Sequence, residues 1–211
     1  MDYILCVFVK LEMTMENLAL KKLLESGRSF TTAQAVSTGI SRQALCDCLS
    51  AGKLVRLSRG VYLPISANNS ETPEIEALQR KGVDFVLCLL SALRFYDIGT
   101  QNPPGIWIAI PNSHHIPVMD FKVECIRLGE QYYNARINIQ TLNGLQLKVY
   151  SPARTVADCF RFRNRIGLDV ALEALRDGWQ KKLFTSDELY DVAKECRIAN
   201  VITPYMEMNM I

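Results

Sequence analysis

The chain has 211 residues and a mass of 23.9 kDa, room for one domain or two small ones at about 100 to 200 residues each. Hydrophobic residues make up 49% and charged residues 22%, the balance of a folded globular protein and not of a disordered, collagen-like or coiled-coil chain. The net charge of +2, from 24 Lys and Arg against 22 Asp and Glu, excludes a histone-like polycation, so any nucleic-acid footprint has to be local.

Residues 3–9 (YILCVFV) are an apolar run between Asp2 and Lys10. A membrane span needs about 20 apolar residues, and a signal peptide needs a basic start and a small-residue cleavage site, so this run neither spans nor exports. Two readings of it stay open: an added strand or packing arm, or a start assigned upstream of Met13 or Met15. The seven cysteines are odd in number and mostly set in apolar runs, which fits reduced, buried thiols and a cytoplasmic protein.

Residues 14–63 carry seven positive and three negative side chains, +4, the most basic stretch of the chain. Within it, residues 16–26 set Leu18, Leu20, Leu23 and Leu24 near one face at helical spacing and stop at Gly27, a good C-cap residue. Thr31 can cap a short helix over 32–37, and Gly39 breaks it; Ser41 can cap a third helix over 42–50 with Ala44, Leu45 and Leu49 inward. The three to four residues between these two helices are a helix-turn-helix spacing. Beyond Gly52, the strand formers Leu54, Val55, Leu57, Val61, Tyr62 and Leu63 are split by Ser58-Arg59-Gly60, which reads as a hairpin turning at Gly60. Helices followed by a β-ribbon make residues 14–66 a winged helix-turn-helix domain.

An α-helix fits the DNA major groove, and the second helix of such a pair presents its N-terminal side chains to base edges. Here those are Ser41, Arg42 and Gln43; Arg pairs bidentately with guanine O6 and N7, and Gln with adenine N6 and N7. Lys53, Arg56 and Arg59 would line the wing and neutralise phosphates or enter the adjacent minor groove. The plainer reading is that a helical pair with a hairpin is a common small core and that surface Lys and Arg are ordinary solvation.

Residues 68–73 (NNSETP) are polar, turn-forming and end at a Pro suited to a helix N1 position, which places a linker there and a second domain over 73–211. That domain opens with a helix over 73–81 and a nearly all-apolar, hence buried, helix over 84–96. Strands follow at 106–110, 121–128, 137–141 and 145–150, the last two joined by Asn143-Gly144, a type I′ hairpin signal. Helices close the chain at 152–163, 169–182, 186–196 with Thr185 as cap, and 200–208. The class is therefore α+β: an N-terminal winged helix-turn-helix, then a mixed α/β region with a mostly antiparallel sheet and a helical C-terminus.

No catalytic or metal constellation emerges, so no enzyme, metal or cofactor is expected. His114-His115 adjoin on a loop, unlike metal ligands spaced along one helical face. Cys46-Asp47-Cys48 has one residue between the thiols where redox and zinc motifs use two, and reads as packing. There is no Gly-rich phosphate loop and no Gly-x-Ser-x-Gly elbow. Arg154 and Asp158 form an i, i+4 pair, read as a surface or half-buried ion pair or as a remnant nuclease carboxylate without its second acid. Arg161, Arg163 and Arg165 read either as a solvated helix end or, with Arg154, as a second DNA contact or the surface of a second function.

The blocks Phe30-Thr31-Thr32-Ala33-Gln34-Ala35, Gly39-Ile40-Ser41-Arg42-Gln43-Ala44-Leu45 and residues 52–62 (GKLVRLSRGVY) resemble the N-terminal winged helix of AbiEi-type antitoxins. Residues 86–93, 100–104, 106–111 and 150–160 (YSPARTVADCF) are similar to the remainder of that family, so the resemblance runs over about residues 15 to 209. It implies a transcriptional autorepressor, with Thr31, Thr32 and Gln34 joining Ser41, Arg42, Gln43, Lys53, Arg56 and Arg59 as DNA-facing residues. It also implies the antitoxin of a type IV toxin-antitoxin system of phage defence by abortive infection, countering a nucleotidyltransferase toxin without a stable complex. The partner would be double-stranded operator DNA with inverted repeats, bound by a homodimer, and no membrane. Longer family members continue past the equivalent of Ile211, so DNA binding transfers more directly than antitoxin activity. Two other classes stay open: a protein-interaction module built on a winged helix, and a degenerate nuclease-like enzyme.

Overall fold

The structure, a computed structural model, describes residues 18–67, 72–142 and 145–209. The chain divides into two units: residues up to Val83 with Ile116–Phe121, and Asp84–His115 with the residues from Lys122 onward. No described helix is long and apolar enough to cross a membrane. The run at 3–9, the linker residues 68–71 and the Asn143-Gly144 turn lie outside the described residues.

In the first unit, helix α1 is described over residues 18–25 and ends at Gly27, whose φ of 63° is the left-handed conformation that glycine adopts without strain. Its Ala19, Leu20, Leu23 and Leu24 pack on a buried cluster of Phe30, Ala35, Ile40, Leu45, Cys48 and Leu54. Leu18, expected on the same face, is 50% exposed, because two helical steps, about 200°, separate it from Leu20. Strand β1 (Phe30–Thr31) leads into α2 (Thr32–Ser37) and α3 (Arg42–Ser50), and β2 (Leu54–Ser58) and β3 (Val61–Pro64) follow as the hairpin. The sheet order is β1-β3-β2, antiparallel throughout. At two residues, β1 is too short to show alternation; Phe30 holds it in place by packing on Tyr62 at 5.9 Å between ring centroids. Helix α4 (Pro73–Arg80), expected to open the second domain, lies within the first unit, where Arg80 Nε donates to Ser29 Oγ at 3.1 Å.

The second unit is a five-stranded sheet of order β6-β5-β4-β8-β7, with β4 (Val86–Leu87), β5 (Ile106–Pro111), β6 (Val123–Leu128), β7 (Ile137–Leu142) and β8 (Leu145–Tyr150). The expected hairpin pairing of β7 with β8 is antiparallel, as is β4 with β5, while β5–β6 and β4–β8 are parallel, so the sheet is mixed and not mostly antiparallel. The helix expected over 84–96 is in fact the central strand β4 followed by α5 (Leu89–Phe95). A continuous apolar run is compatible with either a buried strand or a buried helix, and periodicity does not separate them.

Short α6 (Glu130–Tyr133), then α7 (Pro152–Arg161), α8 (Arg163–Ile166), α9 (Leu168–Gln180), α10 (Ser186–Glu195) and α11 (Ala199–Asn209) complete this unit. Ser151 caps α7 by accepting from Arg154 N, Pro152 sits at N1, and Thr185 caps α10 as expected. Every residue of α7 from Ala153 to Phe160 is buried, with α5, α9 and α10 packed around it, so this amphipathic sequence forms the centre of a helical layer.

Candidate nucleic-acid interface

The geometry of α2 and α3 is set by local hydrogen bonds. Thr31 Oγ1 accepts from Gln34 N at 3.2 Å while Gln34 Oε1 accepts from Thr31 N at 2.8 Å, a reciprocal capping box that starts α2. Gly39, at φ 87°, reverses the chain, and Ser41 Oγ accepts from Ala44 N at 3.1 Å to start α3. Thr32 N donates to Gly60 O at 2.9 Å and its hydroxyl to the same carbonyl at 3.4 Å, joining α2 to the hairpin turn. The three residues at the start of α2 named as DNA-facing thus have an architectural part: Thr31 and Gln34 cap, and Thr32 holds the wing.

Helix α3 buries Leu45 and Cys48 and exposes Arg42, Gln43, Cys46, Asp47 and Ser50. Its outward face begins with the two side chains expected to read bases. The pattern Cys46-Asp47-Cys48, read as packing, divides between the two faces: Cys48 is inside, where burial pushes its thiol up, and Cys46 and Asp47 are outside. Gln43 Nε2 donates to Asp47 Oδ1 at 3.0 Å, a pair that the sequence reading missed although both residues sit at i, i+4.

In the hairpin, Ser58 pairs with Val61, which leaves Arg59-Gly60 as a two-residue turn with Gly60 at φ 78°. Lys53, Arg56 and Arg59 are all exposed. Lys53 and Arg59 flank β2, and a register irregularity between Arg56 and Ser58 carries the strand into the turn. Arg56 differs from the other two, because its Nη2 lies 3.6 Å from Asp120 Oδ2 in the segment Ile116–Phe121 of the same unit.

The second arginine group is arranged differently. Arg154 is 1% exposed, so it belongs to no surface; α7 is packed among α5, α9 and α10, which bury it. Its Nε donates to Asp158 Oδ2 at 2.8 Å, and its guanidinium lies over the Tyr150 ring at 4.7 Å from the centroid. Burial pushes the Asp158 carboxyl up against the pull of Arg154. Arg161 lies over Tyr132 at 5.0 Å, and Arg163 Nη1 donates to Phe160 O at 2.9 Å. Arg165 lies over Trp107 at 4.9 Å and donates to Glu124 Oε2 at 2.7 Å. Hydrogen bonds from Lys122 and Arg165 hold the Glu124 carboxyl below its ordinary range. Among the described residues no three His, Cys, Asp or Glu side chains stand where they could hold a metal ion.

A capped helix pair with the second helix turned outward and a tight hairpin behind it defines a winged helix-turn-helix domain. Residues 19–65, which span α1 to β3, match the family described as "Transcriptional regulator, AbiEi antitoxin". Comparison with curated proteins finds no match. Among solved structures the chain is similar to the RV2827C protein from Mycobacterium tuberculosis, with a TM-score of 0.58 and 15% identity, over 84% of this chain and 70% of that one. At that identity the likeness concerns the fold alone, and it extends well beyond the winged helix.

Proposed function

We propose that this chain is a DNA-binding transcriptional regulator that represses its own operon, and that it is the antitoxin of a type IV toxin-antitoxin system of phage defence. In this reading it acts in the cytoplasm, as a homodimer on inverted repeats, against a nucleotidyltransferase toxin encoded beside it, without a stable complex. The supporting observation is the outward face of α3, whose capped start carries exposed Arg42 and Gln43, together with the exposed cations Lys53 and Arg59 flanking β2, all inside the stretch that matches the regulator family. Ser41 and Arg56 complete the interface, while residues from the second unit carry the antitoxin part.

The test uses the full chain expressed beside the neighbouring toxin gene, with promoter activity and growth read separately. Repression together with rescue is the expected result. In binding assays, Ala at Lys53, Arg56 or Arg59 should each reduce the slope of log affinity against log salt by about one unit. Binding that is indifferent to salt and to sequence removes the DNA part of the proposal, and absence of rescue by a folded, expressed chain removes the antitoxin part.

A further inference from the structure

The exposed row on α3 holds a contact that base reading by Gln43 alone does not require. Gln43 Nε2 donates to Asp47 Oδ1 at 3.0 Å one helical turn along, and both residues are exposed. A primary amide has one acceptor oxygen and two N–H donors. With one N–H committed to Asp47, Gln43 keeps Oε1 and its second N–H, the acceptor and donor that match adenine N6 and N7. Turning the amide over would set Oε1 against the carboxylate, acceptor against acceptor. The disfavoured form is the one that offers a donor where adenine also offers one and guanine offers O6.

We infer that Asp47 is a specificity-determining residue of this interface: it fixes the Gln43 amide in the orientation that reads adenine, and its negative charge among the interface cations weakens binding to DNA lacking that base. The inference rests on α3 being the helix that enters the major groove. Asp47 has no part in the core, and Ala is the better helix former, so Asp47→Ala leaves the fold intact.

The experiment uses the full chain and three probes: a duplex selected by the wild-type protein from a randomised pool, its single-base variants, and a scrambled duplex of equal length. Gln43→Ala identifies the base pair that Gln43 reads. At that pair Asp47→Ala should lower adenine-over-guanine discrimination by about fivefold or more while tightening binding to the scrambled duplex. Asp47→Asn, which keeps an acceptor and drops the charge, should retain the discrimination and tighten both. In the Gln43→Ala background Asp47→Ala should leave discrimination unchanged, since the amide it positions is gone. Wild-type discrimination in Asp47→Ala, or an undiminished effect in the Gln43→Ala background, overturns the inference while leaving the interface standing. A wild-type chain that binds DNA but selects no sequence overturns both.

Discussion

Two groups of cationic side chains, one in each unit, are placed in different surroundings. In the first, Arg42, Lys53 and Arg59 stand exposed on a unit whose buried side chains include Phe30, Leu45, Leu54 and Leu63. In the second, Arg154 is enclosed with Asp158, and Arg161 and Arg165 lie against aromatic rings beside a far larger core. Exposed cations keep their hydration and remain available to a polyanion, whereas the enclosed Arg154 has exchanged hydration for a carboxylate and a ring face, and Arg161 and Arg165 are partly engaged by rings and a carboxylate. A local excess of positive charge therefore stands open to solvent in one part of this chain and is engaged by neighbouring side chains in another. Engagement by neighbouring carboxylates, carbonyls and rings, and not the count of arginines, separates the two.

The contrast can be broken most forcefully at Arg154. Replacing it by Ala leaves Asp158 buried without its partner and should cost about 3 to 5 kcal/mol of stability in the second unit. Both tryptophans, Trp107 and Trp179, lie in that unit, so urea unfolding followed by tryptophan emission reports on it directly. Burial already raises the Asp158 carboxyl above its unfolded value, and loss of Arg154 removes an interaction that lowers it. A group raised on folding favours the folded state below its unfolded value and loses that contribution as pH rises through its folded value. The deficit of Arg154→Ala should therefore shrink as pH is lowered from neutrality. A deficit that is flat with pH, or below about 1 kcal/mol, would mean that the pair is not enclosed.

On the other side of the comparison, Arg42→Ala should cost about 1 to 3 kcal/mol on a selected DNA site and flatten preference at one or two base pairs. It should leave urea unfolding of the second unit unchanged. A loss of equal size on every DNA sequence would place Arg42 on phosphates instead of bases.

Thr31→Ala tests the architecture that supports the first unit. Losing the capping oxygen should destabilise α2 by about 1 kcal/mol. Its effect on DNA should be read as lower thermal stability of the bound domain, with no change in the salt slope. A reduced slope would instead make Thr31 a phosphate contact.

The smallest effect is expected at Arg165. Its partner Glu124 is 24% exposed in the side chain and Arg165 itself 43%, so Arg165→Ala should cost no more than about 1 kcal/mol while shifting Trp107 emission. Affinity for DNA and its salt slope should not move. If the slope falls by about one unit, the second arginine group reaches DNA after all.

Legibility in the sequence followed the range of the interactions involved. The caps at Thr31, Ser41, Ser151 and Thr185 act within a few residues, and the expected helix starts agree closely with α2, α3, α7 and α10. The hairpin around Gly60 was readable for the same reason. Parallel pairing of β5 with β6 was not, since nothing in either strand names a distant partner. The depth of Arg154 was equally hidden: an i, i+4 spacing to Asp158 fixes the pair on one face of α7 but says nothing of what covers that face. Helical spacing does contain the Gln43–Asp47 contact, but i, i+4 spacing alone leaves open whether two exposed polar side chains meet each other or water.

The assignment of Ile116–Phe121 to the first unit makes that unit discontinuous in the gene. Within it, Lys81 Nζ donates to Val118 O at 3.1 Å and Asp120 meets Arg56, so a short stretch encoded between β5 and β6 helps to finish a domain whose other residues end at Val83. No single truncation can therefore isolate it whole. A fragment stopped after Val83 would lack the acidic partner of Arg56 and the carbonyl that receives Lys81. Such a fragment would present Arg56 without the carboxylate that stands 3.6 Å from it in the intact chain, so its salt slope on DNA is not that of the full-length protein.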